Sequence, residues 1–411
     1  MAVLLFAGYA SAQAPFTSGS TGSDGALSYQ VPGTYNFDPS VGNLDPSGDN
    51  IFNFTTINIA AGVTLNLTSA LLRNKPVIWL ASGAVTIAGT LSLDGVTPPN
   101  LNTYGVDWID YRIPAAGGPG GFPGGVGARP GSSALPGLGP GGSPVQVNPS
   151  CGAGGGGSFA SAGSSLPLGP TYGNTQLVPL IGGSGGSGGC VASTITATDA
   201  SGGTGGGGGG AIRIVSTVSI TIATGGKISA LGGYGGGGRS GGTYGGGGAG
   251  GAINLIAPTI SGGGTIQAYA NSTGGVGYIT LNAANNTFTG NASIGDVVPT
   301  LRPLVAPPLP SPTTVPGVTI NSVNGVNVPQ PPQGAFQTPD VTINATTAVT
   351  INISAIAVPV GTVVQLNIQS ELGPDQTISC NPLAGTLASS TATCSASFPT
   401  SVSRILASAS W

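Results

Sequence analysis

Hydrophobic and polar residues alternate with a period of two in four segments of this chain that align with one another. The segments read VIWLASGAVTIAGTLSLDG from Val77, AIRIVSTVSITIATGGKISALGG from Ala211, AINLIAPTISGGGTIQAYANS from Ala252 and YITLNAANNTFTGNASIG from Tyr278, with a fainter copy, INIAAGVTLNLTSALL, from Ile57. Small or turn residues divide each copy into three short alternating stretches. The pattern predicts three short strands per copy, each with one buried face.

Three strands in a unit of about 20 residues describe one rung of a parallel β-helix. Stacked rungs would bury a continuous column of inward side chains that no single rung could bury alone. The column would include Ile212, Ile214, Ile220, Ile222 and Ile228. We therefore expect a β-solenoid over residues 51–298, after a cap or lead segment over residues 13–50. A β-sandwich built from the same strands is the structural alternative.

Glycine-rich tracts interrupt this repeat. An insertion over residues 96–210 contains GGPGGFPGG, GGSGGSGG and GGTGGGGGG, and GGYGGGGRSGGTYGGGGAGG separates the next pair of rungs. Both tracts leave and rejoin the repeat at the same corner, so we expect them on the same side of the solenoid. Such tracts either stay flexible or pack as polyglycine-II-like rods, because a backbone without Cβ atoms allows close approach. The sequence leaves both alternatives open.

The composition changes after the solenoid. Residues 299–315 are proline-rich, which predicts an extended linker. Asn324-Gly325 then lies between alternating residues and predicts a tight β-hairpin. The strands that follow suit a small Ig-like β-sandwich over residues 316–411. The predicted fold class is thus all-β: a short parallel β-helix (solenoid) with long Gly-rich insertions, followed by a small Ig-like β-sandwich.

Charge is scarce, since 5% of residues are charged and histidine is absent. This removes most catalytic options. The 9 Lys and Arg residues are scattered singly, so no basic stripe exists for a phosphate backbone, and we expect no nucleic-acid partner. The apolar segments are short and broken by Gly, Ser or Asn, so we expect no membrane span.

Two features indicate export. Residues 1–12, MAVLLFAGYASA, fit a signal peptide cleaved before Gln13, although the missing positive charge means that the true start lies upstream or that the segment is an apolar strand. The 4 cysteines are an even number, and their order favours bridges Cys151–Cys190 and Cys380–Cys394, with free thiols as the alternative. The expected location is extracellular or at the cell surface.

The rungs GGGGGGAIRIVS and GGAGGAINLIAP, together with the C-terminal segment VPVGTVVQLNIQSELGPDQTISCNPLAGTLASSTATC, carry a resemblance. The chain resembles Gly-rich exported bacterial surface proteins with β-helix-like rungs and a C-terminal Ig-like module. The resemblance covers about half of the chain. It implies a surface or matrix location, and it carries over no catalytic residue.

One segment, YGVDWIDYRIP, concentrates aromatic and charged side chains in a chain poor in both. The candidate glycan-binding residues are Tyr104, Asp107, Trp108, Asp110, Tyr111 and Arg112. Two carboxylates could in principle flank a glycosidic bond. In the structural alternative, Trp108 anchors the insertion onto the solenoid, and Asp107 or Asp110 pairs with Arg112.

A second candidate site is FDPSVGNLDPSGDN, where Asp38, Asp45 and Asp49 could hold calcium through carboxylate and carbonyl oxygens. The same residues are ordinary turn formers, which is the alternative. No other cofactor is expected. The predicted rungs themselves carry only Asp94, Arg213 and Lys227, which does not supply the parts of a polysaccharide-cleaving site.

The sequence therefore favours a secreted or cell-surface structural or adhesive protein without catalytic activity. Cell-surface or matrix glycans or proteins are the expected partners. The alternatives are a carbohydrate-binding module centred on Trp108 and a self-assembling matrix or filament component. A glycoside-active β-helix enzyme ranks last.

Overall fold

The computed structural model describes residues 16–103, 112–145, 151–195, 197–293, 300–302, 316–330, 332, 339–370 and 375–409. In these ranges the chain forms 24 β-strands and one short 3₁₀-helix, Leu101–Thr103, and no α-helix. The predicted signal peptide, most of the proline-rich linker and Trp411 lie outside the described residues. The prediction of an all-β chain is confirmed.

Parallel strands build the N-terminal part. They are β1 (Leu27–Tyr29), β2 (Gly33–Asn36), β3 (Ile51–Phe54), β4 (Ile57–Ile59), β5 (Val63–Asn66), β6 (Val77–Ala81), β7 (Val85–Ile87), β8 (Thr90–Ser92), β9 (Ala211–Ser216), β10 (Ser219–Ile222), β11 (Lys227–Ser229), β12 (Ala252–Gly262), β13 (Thr265–Gln267), β14 (Tyr278–Phe288), β15 (Asn291–Ser293) and β16 (Thr300–Arg302). The pairing is parallel throughout, which rules out the antiparallel sandwich for this region.

The strands stack in three columns, in a solenoid-like arrangement. The first column is β3, β6, β9, β12, β14 and β16; the second is β1, β4, β7 and β10, continued by the second halves of β12 and β14; the third is β2, β5, β8, β11, β13 and β15. Residues 16–50, assigned by the sequence to a lead segment, contribute β1 and β2, which pair with β4 and β5. The stack therefore begins one rung earlier than the visible repeat.

Matching registers place like side chains above one another. In the third column Leu65, Leu91, Ile228 and Ile266 lie in register. The five isoleucines predicted to face inward are all fully buried in the same core. Aliphatic ladders of this kind hold the rungs together, because burial of each rung depends on its neighbours.

Strands β6 and β9 differ from the prediction, because both of their faces are buried. Their outer face carries Ile78, Leu80 and Val215, which pack against Phe159 and Leu180 of the long insertion. The insertion covers an apolar outer surface that a one-faced strand would expose to water. Its position on the first column explains why VIWL is apolar without alternation.

All glycine tracts leave from the third column and return to the first, between β8 and β9, β11 and β12, and β13 and β14. They therefore lie on one side of the solenoid, as predicted. There they form what we call the glycine bundle. Its extended rods cover residues 93–97, 121–128, 152–158, 182–190, 201–210, 230–238 and 242–251. The tracts over residues 115–120, 135–143 and 268–277 contain turns or bends and lie beside these rods. The sequence alternative of ordered, polyglycine-II-like rods is the one observed.

The rod over residues 202–210, the central rod, shows the geometry of the bundle. Its amides donate to three neighbouring segments, all at 2.8–3.0 Å. The amides of Gly202, Gly205 and Gly208 donate to the carbonyls of Ala128, Gly125 and Phe122. The amides of Gly203, Gly206 and Gly209 donate to the carbonyls of Thr243, Gly246 and Ala249, and the amides of Gly207 and Gly210 donate to the carbonyls of Val96 and Leu93. Every third amide thus faces the same neighbour, as expected for a helix of three residues per turn. Consecutive amides point to three different rods.

This lattice satisfies buried backbone groups without a β-sheet, and at many of its glycines it leaves no room for a Cβ. A Cβ on Gly203 would overlap the carbonyl of Gly236, and one on Gly208 would overlap that of Gly183. Cys151 and Cys190 form a disulfide between two rods of the bundle, which confirms the predicted pairing.

The C-terminal domain contains antiparallel strands. They are β17 (Gly317–Val323), β18 (Val326–Asn327), β19 (Val349–Ile356), β20 (Val363–Ser370), β21 (Gln376–Pro382), β22 (Ala384–Thr386), β23 (Ser389–Ala396) and β24 (Ser403–Ala409). They form one sheet in the order β18-β17-β19-β23-β22 and another in the order β21-β20-β24. Both sheets contribute to one apolar core, which includes Ile351, Leu366 and Ile368.

Two local predictions for this domain are confirmed. Asn324 and Gly325 form the turn between β17 and β18 with φ of 49° and 76°, which is the left-handed conformation that a two-residue hairpin needs. The predicted disulfide Cys380–Cys394 joins β21 to β23, and therefore one sheet to the other.

Replacing one central glycine should reveal how tightly the bundle is packed. We expect Gly203→Ala to lower the free energy of unfolding by about 3 kcal/mol, because the new methyl group overlaps backbone atoms that cannot move separately. Gly237→Ala is the matched control on a neighbouring rod, since the three atoms nearest to its Cβ all belong to the exposed side chain of Asn100, which can move. Urea denaturation measures both. Equal effects of the two substitutions would contradict the lattice.

Removing either disulfide should lower the free energy of unfolding, and the loss should be larger for the bridge that closes the longer loop. The bridges span sequence separations of 39 and 14 residues. From the entropy of loop closure we expect losses of about 4 kcal/mol for Cys151→Ala/Cys190→Ala and about 3 kcal/mol for Cys380→Ala/Cys394→Ala. Urea denaturation of the two double variants tests this. A loss below about 1 kcal/mol would show that the bridge does not constrain the unfolded chain.

Candidate functional site

A cleft of about 890 Å³ lies between the glycine bundle and the C-terminal domain. Its walls are mainly apolar and include Pro123, Val126 and Leu135 from the bundle, and Ile320, Phe398 and Leu406 from the domain. Clefts of this size and character are the usual places where proteins hold ligands.

The edge of a β-sheet forms one wall of the cleft. Strand β24 ends the three-stranded sheet, and Ser403–Ser408 line the cleft. In an edge strand every second residue directs its N–H and C=O groups away from the sheet. An extended chain in the cleft could therefore pair with β24 while its side chains contact apolar walls. This geometry is suited to binding.

Arginines join the bundle to the C-terminal domain at the cleft. The buried guanidinium of Arg112 donates to the carbonyl of Gly127 at 2.7 Å and lies 3.4 Å from the carboxylate of Asp375. Arg129 donates to the carbonyl of Ser370 at 2.8 Å, and Arg404 donates to that of Arg112 at 2.7 Å. A large part of the basic charge of the chain is therefore used to hold these two parts together.

Burial lowers the pKa of Arg112 to about 10, against the opposing effect of Asp375 and with a smaller lowering from the positive charges of Arg129 and Arg404. A pKa of about 10 leaves the guanidinium charged at neutral pH. The contact with Asp375 is thus a buried ion pair. Removing the negative charge of Asp375 would leave the Arg112 cation buried without a counter-ion.

Five of the six residues of the predicted glycan site lie outside the described residues. They are Tyr104, Asp107, Trp108, Asp110 and Tyr111. Arg112, the last member of that predicted set, is described and contacts Asp375, a residue 263 positions away that the local sequence pattern does not indicate.

The three aspartates of the predicted calcium site each cap a turn. Asp38 accepts hydrogen bonds from the amide and hydroxyl of Ser40 at 2.9 and 2.6 Å, and these bonds lower its pKa. Asp45 accepts the amide of Asp49 at 3.0 Å and lies 3.3 Å from Arg73. Within the described residues no group of three or more His, Cys, Asp or Glu side chains could hold a metal. These hydrogen bonds match the turn alternative.

Two of the three charged residues of the rungs, Asp94 and Arg213, form hydrogen bonds in the structure. Asp94 accepts the amide of Leu231 at 2.7 Å and the hydroxyl of Ser229 at 3.1 Å. Arg213 is buried on the outer face of β9, where it donates to the carbonyl of Leu177 at 2.9 Å, and burial lowers its pKa. Both side chains stabilise the connection between the solenoid and the glycine bundle.

Sequence reasoning missed the cleft and the arginine contacts. Arg112 is 263 positions from Asp375 and 292 from Arg404, so no local pattern indicates that these residues meet. The one available signal was their rarity: a charge in a chain with 5% charged residues is more informative than one elsewhere.

Comparisons with protein-family models, with curated proteins and with solved structures give no match. In the described ranges, no helix is long and apolar enough to cross a membrane. The two disulfides indicate an oxidising, extracellular environment.

Neutralising the carboxylate of Asp375 should destabilise the contact at the cleft. We expect Asp375→Asn to lower the free energy of unfolding by about 3 kcal/mol, because Arg112 would stay buried without its counter-ion. The measurement is urea denaturation. The control is Asp199→Asn, which removes a more exposed ion pair with Arg239 and should have little effect. Similar behaviour of both variants would contradict the role given to the buried pair.

Proposed function

We propose that this protein is a secreted or cell-surface structural and adhesive protein without catalytic activity. The glycine bundle is the observation that carries the proposal. Its rods place a stiff, nearly uncharged body on the side of a solenoid, and their conformation is determined by hydrogen bonds between neighbouring backbones. A rigid surface of this kind binds partners with little loss of conformational entropy.

Export is the second part of the proposal. We assign residues 1–12 as the signal peptide, and two disulfides support an oxidising location. One disulfide connects two rods of the bundle, where it strengthens the surface that faces the environment.

We assign the C-terminal domain as an Ig-like module. Two antiparallel sheets around one core and a disulfide from one sheet to the other support this assignment. Modules of this class commonly serve in cell-surface proteins, and the apolar cleft beside β24 suits a protein partner that binds as an extended strand.

Surface display tests the adhesive function. The full chain would be displayed on a non-adherent bacterium, and attachment to surfaces coated with matrix protein or with polysaccharide would be counted under flow. We expect attachment well above that of the same bacterium without the displayed chain (undecorated cells). The matched control is the Gly203→Ala variant displayed at equal amounts, which should lose attachment because the bundle is disrupted.

Two results would contradict the proposal. One is attachment no greater than that of undecorated cells on every coating. The other is multiple turnover of a soluble glycoside or polysaccharide by the purified chain, which would show an enzyme and would favour the lowest-ranked alternative.

A further inference from the structure

Two tyrosines stand out on the glycine bundle because they are exposed. Tyr234 and Tyr244 expose 51% and 62% of their surfaces, whereas the other described tyrosines are at least half-buried. Each interrupts a glycine run, in GGYGGGG and TYGGGG, on two rods that follow one another in the chain. Exposed aromatic rings on a rigid backbone are typical of recognition surfaces.

The lattice determines where Tyr234 points. Side chains three residues apart on such a rod share one direction. A Cβ on Gly232 or Gly235 would meet the rod over residues 242–251, and one on Gly233 or Gly236 would meet residues 95–99. The side chain of Tyr234 takes the third direction. This direction points away from the central rod, whose carbonyls accept the amides of Gly233 and Gly236 on the opposite side.

Tyr244 points to the same side. A Cβ on Gly245 or Gly248 would meet the central rod, and one on Gly246 would meet Gly155. Tyr244 takes the third direction, which it shares with Gly247, three residues further along the rod. A Cβ on Gly247 would meet Ser272, so this direction points outward from the central rod. The segment that contains Ser272 also contacts the neighbouring rod, where Asn271 donates to the carbonyl of Gly232 at 3.1 Å. Both tyrosines therefore project on the side that faces away from the central rod.

Backbone register determines their spacing. The two rods are antiparallel, with hydrogen bonds of 2.9 Å from Gly248 to Gly233 and from Gly245 to Gly236. Tyr244 is therefore level with residue 237, three residues from Tyr234. At the rise of this helix type the offset is about 9 Å along the rods. The lattice thus fixes the separation of the two Cα atoms from which the rings project.

The surroundings of the two rings are polar and uncharged. Thr97, Asn100 and Ser272 are exposed beside them, and the hydroxyl of Thr97 accepts the amide of Tyr234 at 3.1 Å. At the end of the rods, Arg239 lies 3.1 Å from the carboxylate of Asp199. A flat aromatic ring contacts the C–H face of a sugar, while hydroxyl and amide groups bind its hydroxyls. The combination fits a neutral ligand rich in hydroxyl groups.

We propose that Tyr234 and Tyr244 form a platform that binds a neutral polysaccharide chain, with one sugar ring stacked on each tyrosine. The fixed spacing favours an extended chain over a single sugar, because only an extended chain contacts both rings at once. The inference rests on the adhesive function proposed above and specifies one ligand class for it.

Affinity electrophoresis of the full chain tests the platform. The gels would contain hydroxyethylcellulose, galactomannan or dextran as neutral polymers, and polygalacturonate or alginate as acidic ones. We expect at least one neutral polymer to retard the protein. Tyr234→Ala and Tyr244→Ala should each weaken the apparent affinity roughly three- to tenfold, and the double variant more. Tyr→Phe at either position should bind nearly as the wild type does, because the ring face remains.

Leu387→Ala is the control, since Leu387 is also exposed (58%) but lies on the C-terminal domain. It should leave retardation unchanged. Analytical ultracentrifugation of each variant without polysaccharide would detect a role of the tyrosines in self-association.

Four outcomes overturn the proposal: no retardation by a neutral polymer, retardation by acidic polymers alone, tyrosine variants that bind as the wild type does, or tyrosine variants that change only self-association. None of these four outcomes contradicts the proposed adhesive function, provided that cells displaying the chain still attach to the coated surfaces. If attachment fails while the purified chain binds a neutral polymer through the tyrosines, the adhesive function is wrong and the platform stands.

Discussion

Hydrogen bonds between the backbones of neighbouring glycine rods are the interaction on which the rest of the structure depends. Each bond requires two backbones to approach so closely that a Cβ would overlap a carbonyl, as at Gly203 and Gly208. The abundance of glycine is therefore a packing requirement. The rods bury polar backbone groups and have few apolar side chains. They rely on Phe159 and Leu180, which attach the bundle to the apolar outer face of β6 and β9.

The solenoid and the bundle support each other geometrically. Strands in neighbouring rungs lie about 4.8 Å apart, so chain segments that leave successive rungs at the same corner start at a separation suited to backbone hydrogen bonding. The solenoid thereby sets a spacing of the rods that matches their pairing. In return the bundle covers both the first column of strands and the buried Arg213, which would otherwise face water beside an apolar surface.

A lattice whose glycine positions exclude a Cβ leaves recognition to the side chains at its margins. Small side chains such as those of Ser184 and Thr204 are buried inside it, whereas Tyr234 and Tyr244 lie where a rod faces outward and Arg112 lies where the bundle meets the C-terminal domain. The two places differ in chemistry. The tyrosines lie on an uncharged outer face, whereas the cleft combines apolar walls with a sheet edge. The two surfaces that we propose for binding, one for glycans and one for an extended peptide, therefore differ in chemistry.

The sequence by itself determined the features that local pattern encodes. Period-two alternation predicted three strands per rung and the inward isoleucines, Asn324-Gly325 predicted its hairpin, and cysteine order predicted both disulfides. Only the tertiary structure decided that the rods are ordered, that β6 is buried on both faces, and that Arg112 pairs with Asp375. Glycine has no side chain, so a run of glycines carries no pattern that indicates its neighbours. Contacts between segments far apart in the chain, such as Arg112 with Asp375, depend on how the whole chain folds and leave no local pattern in the sequence.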